Sequence, residues 1–243
     1  MTYCVGMLLD DGLVFLSDSR TNAGVDNIST FRKTTVFEVR GERVLVLLTA
    51  GNLAVTQSVV SLLNENLGAA QPALTLASAP NLYEAARCVG DAIRAIHARD
   101  AQALKDQGIE FTATFILGGQ IGREPPRLFQ LYAAGNFIEA TRETPYFQIG
   151  ESKYGKPIID RVVRPETSLR DAAKCALISM DSTIRSNLSV GPPLDLTIVR
   201  RDALATAARL GIAGDDDYFR VVRSSWGEAL RQAFRALPDP PWG

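Results

Sequence analysis

The sequence predicts an α+β fold in which β-sheets are sandwiched between layers of helices. The first observation behind this class is the order of the predicted elements: a group of strands, two helices, a second group of strands, a further helix and a last strand. The second is size, because 243 residues with 46% hydrophobic content are enough to bury the core of one well-packed domain.

The first strand group begins directly after the N-terminus. Apolar residues alternate with smaller or polar ones over residues 3–9, which predicts a half-buried strand. Asp10-Asp11-Gly12 is a hairpin turn signal, and residues 13–16 return as the second strand. Residues 36–39 and 44–48 are the third and fourth strands, and the fourth ends just before a helical stretch.

Two adjacent helices follow and are expected to pack as a layer on a sheet. Residues 53–67 carry apolar side chains every three to four positions, which is typical of an amphipathic helix. After an Ala- and Pro-rich loop over residues 71–80, Asn81 has the character of an N-cap, with Glu84 three residues later as in a capping box. The second helix is predicted to end before Gln107-Gly108.

The second strand group is predicted over residues 111–117, 128–133 and 137–141, with turns at Gly118-Gly119 and at residues 134–136. Residues 147–150 form another short strand. Ser168, followed three residues later by Asp171, opens a third helix. A loop over residues 189–193 leads into the last strand, residues 194–199.

The C-terminal part is predicted to be helical over residues 204–210 and 224–237. The second of these helices has an apolar stripe formed by Trp226, Leu230, Phe234 and Leu237. Residues 238–243 are rich in proline and cannot be helix. Because an exposed apolar stripe needs cover, this extension is expected to pack on its own domain or on a neighbouring subunit.

The candidate chemistry is concentrated at the N-terminus. If Met1 is removed, Thr2 carries both a hydroxyl and a free α-amine. A threonine hydroxyl is a weak nucleophile, but an adjacent amine accepts its proton as general base, and the unperturbed pKa of an α-amine is about 8. The chain has one histidine, so no other side chain is equally poised for proton transfer.

Asp18 and Lys33 are the predicted partners of Thr2. Pairing across the turn at residues 10–12 brings Asp18 close to Thr2, and a carboxylate at the end of a buried strand needs a partner. Lys33 is the predicted partner, and an ammonium near Thr2 would favour the alkoxide and lower the pKa of the amine. Gly51, before the first helix, lets a backbone N–H face the site unobstructed, which suits an oxyanion hole.

Taken in order, Thr2 after the initiator methionine, Ser17-Asp18-Ser19-Arg20, Lys33 and Ala50-Gly51 resemble an N-terminal-nucleophile hydrolase, specifically a proteasome-type β subunit. The unbroken run over residues 17–24, the Phe31-Arg32-Lys33 triplet and the length favour the bacterial Anbu (ancestral β subunit) branch. The resemblance runs over residues 2–200. It implies a four-layer α-β-β-α sandwich of two antiparallel sheets between helical layers, with a hydrolase domain over residues 1–200 and a helical extension over residues 201–243.

The resemblance also indicates two loops that would support the amine. Residues 150–155 stand where proteasome-type subunits carry a glycine/serine stretch; Ser152 is the candidate there, and Glu151 is the alternative at that alignment position. Residues 180–189 stand where the family has an acid and a serine. The usual Arg-Asp…Ser-Gly arrangement is not reproduced in this loop, so four candidates stay open: Asp181, Ser182, Ser186 and Asn187.

Composition and charge further limit the kinds of protein that this sequence can encode. The net charge of −1 gives no basis for nucleic-acid or general membrane binding. No signal peptide is visible and no segment has the length of a membrane span. The scattered cysteines Cys4, Cys88 and Cys175 fit buried thiols in a reducing compartment better than a zinc site. We therefore expect a cytoplasmic protein without a metal or organic cofactor.

The predicted function is that of a threonine peptidase or amide hydrolase in which Thr2 attacks an amide carbonyl and the Gly51 N–H stabilises the oxyanion. The resemblance implies a peptide or amide substrate, a large homo-oligomer (ring or open spiral) and an ATPase partner that no residue here identifies. Two alternatives stay open: a small-molecule amidase or acyltransferase of the same chemistry, and a scaffold assembly without proteolysis.

Overall fold

The computed structural model describes residues 1–22, 28–67 and 74–242. Two five-stranded antiparallel sheets form the centre of this part of the chain. The part of the predicted 71–80 loop that covers residues 71–73, and residues 23–24 of the predicted 17–24 motif, lie outside the described residues.

The first sheet contains the N-terminal hairpin and has the strand order β10-β1-β2-β11-β12. Its strands are β1 (Tyr3–Leu9), β2 (Gly12–Asp18), β10 (Tyr146–Gly150), β11 (Leu194–Arg200) and β12 (Thr206–Ile212). The predicted turn places Cys4 opposite Ser17, so the end of β2 lies beside the N-terminus.

The second sheet has the strand order β5-β6-β7-β8-β9. Its strands are β5 (Thr34–Val39), β6 (Arg43–Gly51), β7 (Ala113–Ile121), β8 (Arg127–Leu131) and β9 (Phe137–Glu139). A short hairpin of β3 (Arg20–Asn22) and β4 (Ile28–Thr30) connects the two sheets along the chain.

Helices cover the outer face of each sheet. They are α1 (Leu53–Leu67), α2 (Leu82–Asp106), α3 (Lys156–Val162), α4 (Leu169–Ser186) and α5 (Asp217–Arg235). The predicted caps of α2 and α4 are confirmed: the Asn81 side chain accepts from the Glu84 N–H, and the Ser168 side chain accepts from the Asp171 N–H. These bonds satisfy backbone donors that a helix start leaves free.

Three apolar cores separate the layers. One joins α1 and α2 to the second sheet through residues such as Val59, Val89 and Phe115. A second fills the space between the sheets, with Phe15, Val46, Ile116 and Leu128 among its members. The third joins the first sheet to the remaining helices, with Val5, Leu16, Ala176 and Phe219 among its members. The predicted four-layer α-β-β-α sandwich is confirmed.

The helix predicted over residues 204–210 is wrong. This segment forms β12, which pairs antiparallel with β11, so that Leu196 lies opposite Leu210. Alanine, leucine and arginine favour helix intrinsically, but the free edge of β11 offers ladder hydrogen bonds along its whole length. Tertiary pairing therefore outweighs local propensity.

The turn predicted at Gly118-Gly119 is also wrong, because β7 continues through both glycines to Ile121. A Cβ added at Gly118 would lie 2.7 Å from the Phe15 ring and 2.7 Å from Leu128. Glycine inside a strand often marks such a close approach. Here it lets the first sheet pack tightly on the second.

The sequence prediction also missed the β3–β4 hairpin, α3 and the first part of α5. The predicted helix at residue 224 begins at Asp217, because the Asp216 side chain caps it by accepting from the Phe219 N–H. β12 belongs to the first sheet, and Phe219 is buried in the third core. The division of the chain at residue 200 stays a prediction.

All three cysteines are free and buried, as predicted. In the parts of the chain that the structure describes, each helix is too short or too polar to cross a bilayer.

The packing of Phe15 on Gly118 predicts a stability effect. We expect Gly118→Ala to lower the free energy of unfolding by about 1–3 kcal/mol, because the added methyl group overpacks the space between the sheets. Gly211→Ala in the edge strand β12 is the matched control, since its added methyl would meet no described atom within 4 Å. Urea denaturation measures both, and equal stability of the two variants would contradict this packing.

Candidate active site

A cavity of about 360 Å³ lies beside the N-terminus, between the ends of the two sheets. It is lined by Met1, Thr2, Thr21, Lys33, Thr49, Ala50, Gly51, Leu53, Thr56 and Gly150. Three of the predicted site residues, Thr2, Lys33 and Gly51, therefore share one cavity. They come from the residue before β1, from the residue before β5 and from the end of β6.

A buried ion pair lies at the wall of this cavity. The Lys33 Nζ donates to Asp18 Oδ1 at 2.8 Å and to the Arg20 carbonyl oxygen at 2.7 Å. The Asp18 side chain is 0% exposed and the Lys33 side chain 5%. The predicted pairing of the two residues is thus present, and the Arg20 carbonyl fixes the ammonium from the other side.

Asp18 also holds two backbone segments. Its Oδ1 accepts from the Tyr3 N–H at 3.0 Å and its Oδ2 from the Gly191 N–H at 3.4 Å. Burial raises the pKa of the Asp18 carboxyl, and the Lys33 ammonium with these two N–H groups opposes that rise. The carboxylate is thereby tied to the residue that directly follows Thr2.

Thr2 is fixed through its own carbonyl. The Thr2 oxygen accepts from the Glu151 N–H at 2.7 Å. Gly150 allows this approach, because its φ is +81° and an added Cβ would lie 2.0 Å from the Thr2 oxygen. Thr2 is therefore held from the first sheet's β10 side, while Asp18 holds the next peptide N–H from the β2 side.

The side chain of Tyr3 anchors the same segment to the helical layer. Its buried hydroxyl accepts from Gln148 Nε2 at 2.6 Å and lies 2.9 Å from Ser179 Oγ. Burial raises the pKa of the Tyr3 phenol, so the group stays a neutral hydrogen-bonding partner. Together with Asp18, this contact leaves the start of β1 little freedom.

Gly51 occupies a position that only glycine fits. Its φ is +120°, and an added Cβ would lie 2.4 Å from the Thr112 carbonyl oxygen. Left-handed backbone and close approach both exclude a side chain here. Its predicted role as oxyanion donor stays a prediction.

The predicted Ser152 lies next to the site but is not among the residues that line the cavity. Its backbone N–H donates to the Gly150 carbonyl at 3.1 Å, and its own carbonyl accepts from the Lys156 N–H at the start of α3. Glu151, the alternative at this position, has the direct backbone bond to Thr2.

The four candidate residues near the end of α4 lie in different environments. The carboxylate of Asp181 accepts from Arg185 at 2.9 Å and from Arg223 of α5 at 2.6 Å. Ser182 is half-buried and Ser186 exposed. Asn187 Nδ2 donates to Glu151 Oε2 at 3.1 Å. Of the four candidates, Asn187 is thus the one bonded to the segment that holds Thr2.

Some residues of the site were not predicted from the sequence. Gly191 donates to Asp18, and Thr21 and Thr49 line the cavity. Gly191 precedes Pro192-Pro193, a turn signal that marks a loop but gives no sign of which strand the loop contacts.

Arg20 has a structural contact, because its Nη1 donates to the Leu188 carbonyl oxygen at 3.1 Å and so connects the start of β3 to the loop after α4.

Around one cavity the structure places the Thr2 hydroxyl, the buried Lys33 ammonium and the backbone of Gly51. If the Thr2 nitrogen is a free amine, the cavity also holds a general base. These are the groups that acyl transfer through a covalent intermediate needs.

Comparison with known proteins gives a consistent result. The family model described as proteasome subunit matches residues 2–199. A curated "Proteasome subunit beta" from Haloquadratum walsbyi is 24% identical over 204 residues, which are 84% of this chain and 75% of that protein.

Solved structures are more similar. Anbu (ancestral beta-subunit) from Yersinia bercovieri is 53% identical with a TM-score of 0.92, over 98% of this chain and 99% of that one. A structure described as the helical assembly of the Anbu complex from Pseudomonas aeruginosa is 48% identical with a TM-score of 0.93, over 99% of each chain.

The buried pair predicts the behaviour of Lys33→Ala. We expect this variant to lose about 3–5 kcal/mol of unfolding free energy at pH 7, because Asp18 is left as a buried charge without a counter-ion. The substitution also raises the pKa of Asp18 further, since the ammonium lowers it in the native chain. A carboxyl whose pKa is raised on folding stabilises the folded state at low pH and loses this contribution as pH rises. The loss should therefore shrink as the pH falls below neutral.

Urea denaturation at several pH values measures this effect. Lys174→Ala is the matched control, because its pair with Asp171 on α4 is exposed, with side chains 52% and 55% accessible, and such pairs contribute at most about 1 kcal/mol. An equal loss in the two variants would show that the Asp18–Lys33 pair is not a structural requirement.

Proposed function

The chain belongs to the proteasome subunit family, and within it to the Anbu (ancestral β-subunit) branch, and we propose on this premise that it is a threonine-type N-terminal-nucleophile peptidase. It would act within a self-assembling, proteasome-like complex. Thr2 is the proposed nucleophile, and it becomes the N-terminal residue when Met1 is removed.

One observation carries the proposal: Lys33, whose ammonium is paired with the buried Asp18, lines the same cavity as Thr2 and Gly51. A buried ion pair costs desolvation free energy that a pair of apolar side chains would not. A charged pair placed at a cavity wall beside a hydroxyl supports a chemical role for the ammonium.

The proposed reaction is acyl transfer followed by hydrolysis. Thr2 Oγ1 attacks the amide carbonyl carbon while the Thr2 α-amine takes the hydroxyl proton. The C–N bond then breaks, and the amine returns this proton to the leaving nitrogen. In the second half the amine takes a proton from water, and the resulting hydroxide attacks the acyl carbon of the acyl-threonine ester. The bond from this carbon to Thr2 Oγ1 breaks, the amine returns the proton to Oγ1, and the acid is released.

The other residues have supporting roles in this proposal. Lys33 places a positive charge near Thr2, which favours the alkoxide and lowers the pKa of the amine. Asp18 holds Lys33 and the Tyr3 N–H in position. The Gly51 N–H stabilises the oxyanion of the tetrahedral intermediate.

We also propose a large homo-oligomer as the working form. The Pseudomonas aeruginosa relative is described as a helical assembly. In this chain, α5 and the residues after it expose several large apolar side chains, among them Val221, Leu230 and Phe234 at 58%, 49% and 76%. A cytoplasmic location, and an ATP-driven partner that unfolds substrates for such a compartment, belong to the same proposal.

The first test concerns the nucleophile. Thr2→Ala should lower peptide turnover by more than about 10³-fold, because the variant keeps the amine and loses the attacking oxygen. Thr2→Ser keeps both groups and serves as the matched control, with activity expected. Size-exclusion chromatography shows whether assembly is unchanged. Turnover by Thr2→Ala at the native rate would overturn the assignment.

The second test separates this proposal from its alternatives. Intact mass gives the fraction of chains without Met1, and an electrophile that reacts with the activated Thr2 hydroxyl should add one label to Thr2 in that fraction alone. Labelling with hydrolysis of peptides supports a peptidase, whereas labelling with hydrolysis of small amides alone indicates an amidase. Absence of labelling on chains with a free Thr2 amine would favour a scaffold.

A further inference from the structure

Two hydroxyl groups in the wall of the cavity beside Thr2 are short of hydrogen-bond partners. Thr21 of β3 and Thr49 of β6 both line this cavity. Among the described residues, Thr21 Oγ1 is shielded from solvent and has no hydrogen-bond partner. Thr49 is 8% exposed, and the contact that the structure describes for its hydroxyl is long, 3.5 Å to the Lys33 carbonyl oxygen. A buried hydroxyl without a good partner is unfavourable.

A third threonine in the same wall is bonded differently. Thr56 Oγ1 donates to the carbonyl oxygens of Asn52 and Leu53, each at 3.1 Å. These bonds lie at the start of α1 and use the hydroxyl proton, as is common for threonine inside a helix. The lack of good partners is therefore a property of Thr21 and Thr49, and not of every hydroxyl at this cavity.

The cavity offers no free counter-ion to a charged ligand. Lys33 is the one ionisable side chain among its described lining residues, and its ammonium is paired with Asp18 at 2.8 Å. Leu53 and Ala50 add apolar surface beside the hydroxyls. An entering carboxylate or ammonium would lose hydration without gaining an unpaired opposite charge. The lining therefore suits a neutral side chain that carries a hydrogen-bonding group.

We propose that Thr21 and Thr49 bind the side chain of the substrate residue whose carbonyl is attacked, and that they select an uncharged carboxamide such as that of glutamine. A carboxamide has both an acceptor and a donor, and each hydroxyl can donate and accept. Removal of Met1, which lines the same cavity, opens space for such a side chain. For turnover the inference rests on the proposed function, whereas selective binding does not.

An apolar side chain of the same length would leave both hydroxyls unpaired. A site built to hydrogen-bond a substrate group rejects the analogue that lacks this group far more strongly than an apolar pocket rejects an added methylene. Glutamine, methionine and glutamate have side chains of similar length. Comparing the three therefore separates hydrogen bonding and charge from size.

The test uses peptides that differ at this residue alone. On assembled chains whose intact mass shows loss of Met1, kcat/KM for the glutamine peptide should exceed that for the methionine and glutamate peptides by about tenfold or more. Thr21→Val and Thr49→Val remove a hydroxyl while nearly keeping the side-chain shape, and each should bring the glutamine-to-methionine ratio towards one. Thr56→Val is the matched control and should leave this ratio unchanged, because its hydroxyl is already bonded within α1.

Two results would overturn the proposal: equal turnover of the glutamine and methionine peptides, or an unchanged ratio in the valine variants. Thr21→Ser keeps the hydroxyl and should keep the preference. If the buried Thr49→Val does not assemble, Thr21→Val at its half-buried position decides the matter together with Thr21→Ser.

A binding measurement separates this inference from the proposed function. Thr2→Ala chains without Met1 keep the cavity and lack the nucleophile, and fluorescence anisotropy gives their affinity for the three labelled peptides. Tighter binding of the glutamine peptide that Thr21→Val abolishes, with no cleavage by the native chain, would refute the proposed function alone. Where no peptide is cleaved, equal or absent binding of all three would overturn the inference as well.

Discussion

The ion pair between Asp18 and Lys33 is the interaction on which the N-terminal region depends. Four separate pieces of chain meet at these two side chains: the start of β1 through the Tyr3 N–H, the end of β2, the β3 entry through the Arg20 carbonyl, and the loop at Gly191. Each contributes one polar group to this hydrogen-bond network. The pair therefore organises the backbone around Thr2 as well as the charge in the cavity.

An apolar pair of similar volume would satisfy the packing of this region at a lower desolvation cost. It would leave the N–H groups of Tyr3 and Gly191 without an acceptor, however, and buried donors without partners are costly. Burial and hydrogen bonding thus explain why the carboxylate is retained, while the ammonium balances its charge. The chemical use proposed for Lys33 adds to this structural reason and does not replace it.

The strand and helix patterns predicted much of the fold from the sequence, because apolar periodicity and caps such as Asn81 and Ser168 are local signals. Asp18 and Lys33 could also be predicted, since a hairpin of known turn fixes where β2 ends. The helix expected over residues 204–210 failed because a free strand edge, which no local signal reveals, outweighs propensity. The contact of Glu151 with Asn187 joins residues 36 positions apart, and its geometry depends on the end of α4. Long-range contacts of this kind are beyond pattern analysis.

The packing of Phe15 against Gly118 has a mechanical consequence for the cavity. Asp18 belongs to the first sheet, whereas Lys33 directly precedes β5 and Gly51 ends β6 of the second sheet. The site therefore exists only while the sheets keep their alignment. Slip of one sheet past the other by about one ångström would take the 2.8 Å ion pair beyond hydrogen-bonding range. The Phe15 ring, packed against Gly118 in the core between the sheets, opposes this slip. The relative positions of the site residues therefore depend on a packing contact in which none of them takes part.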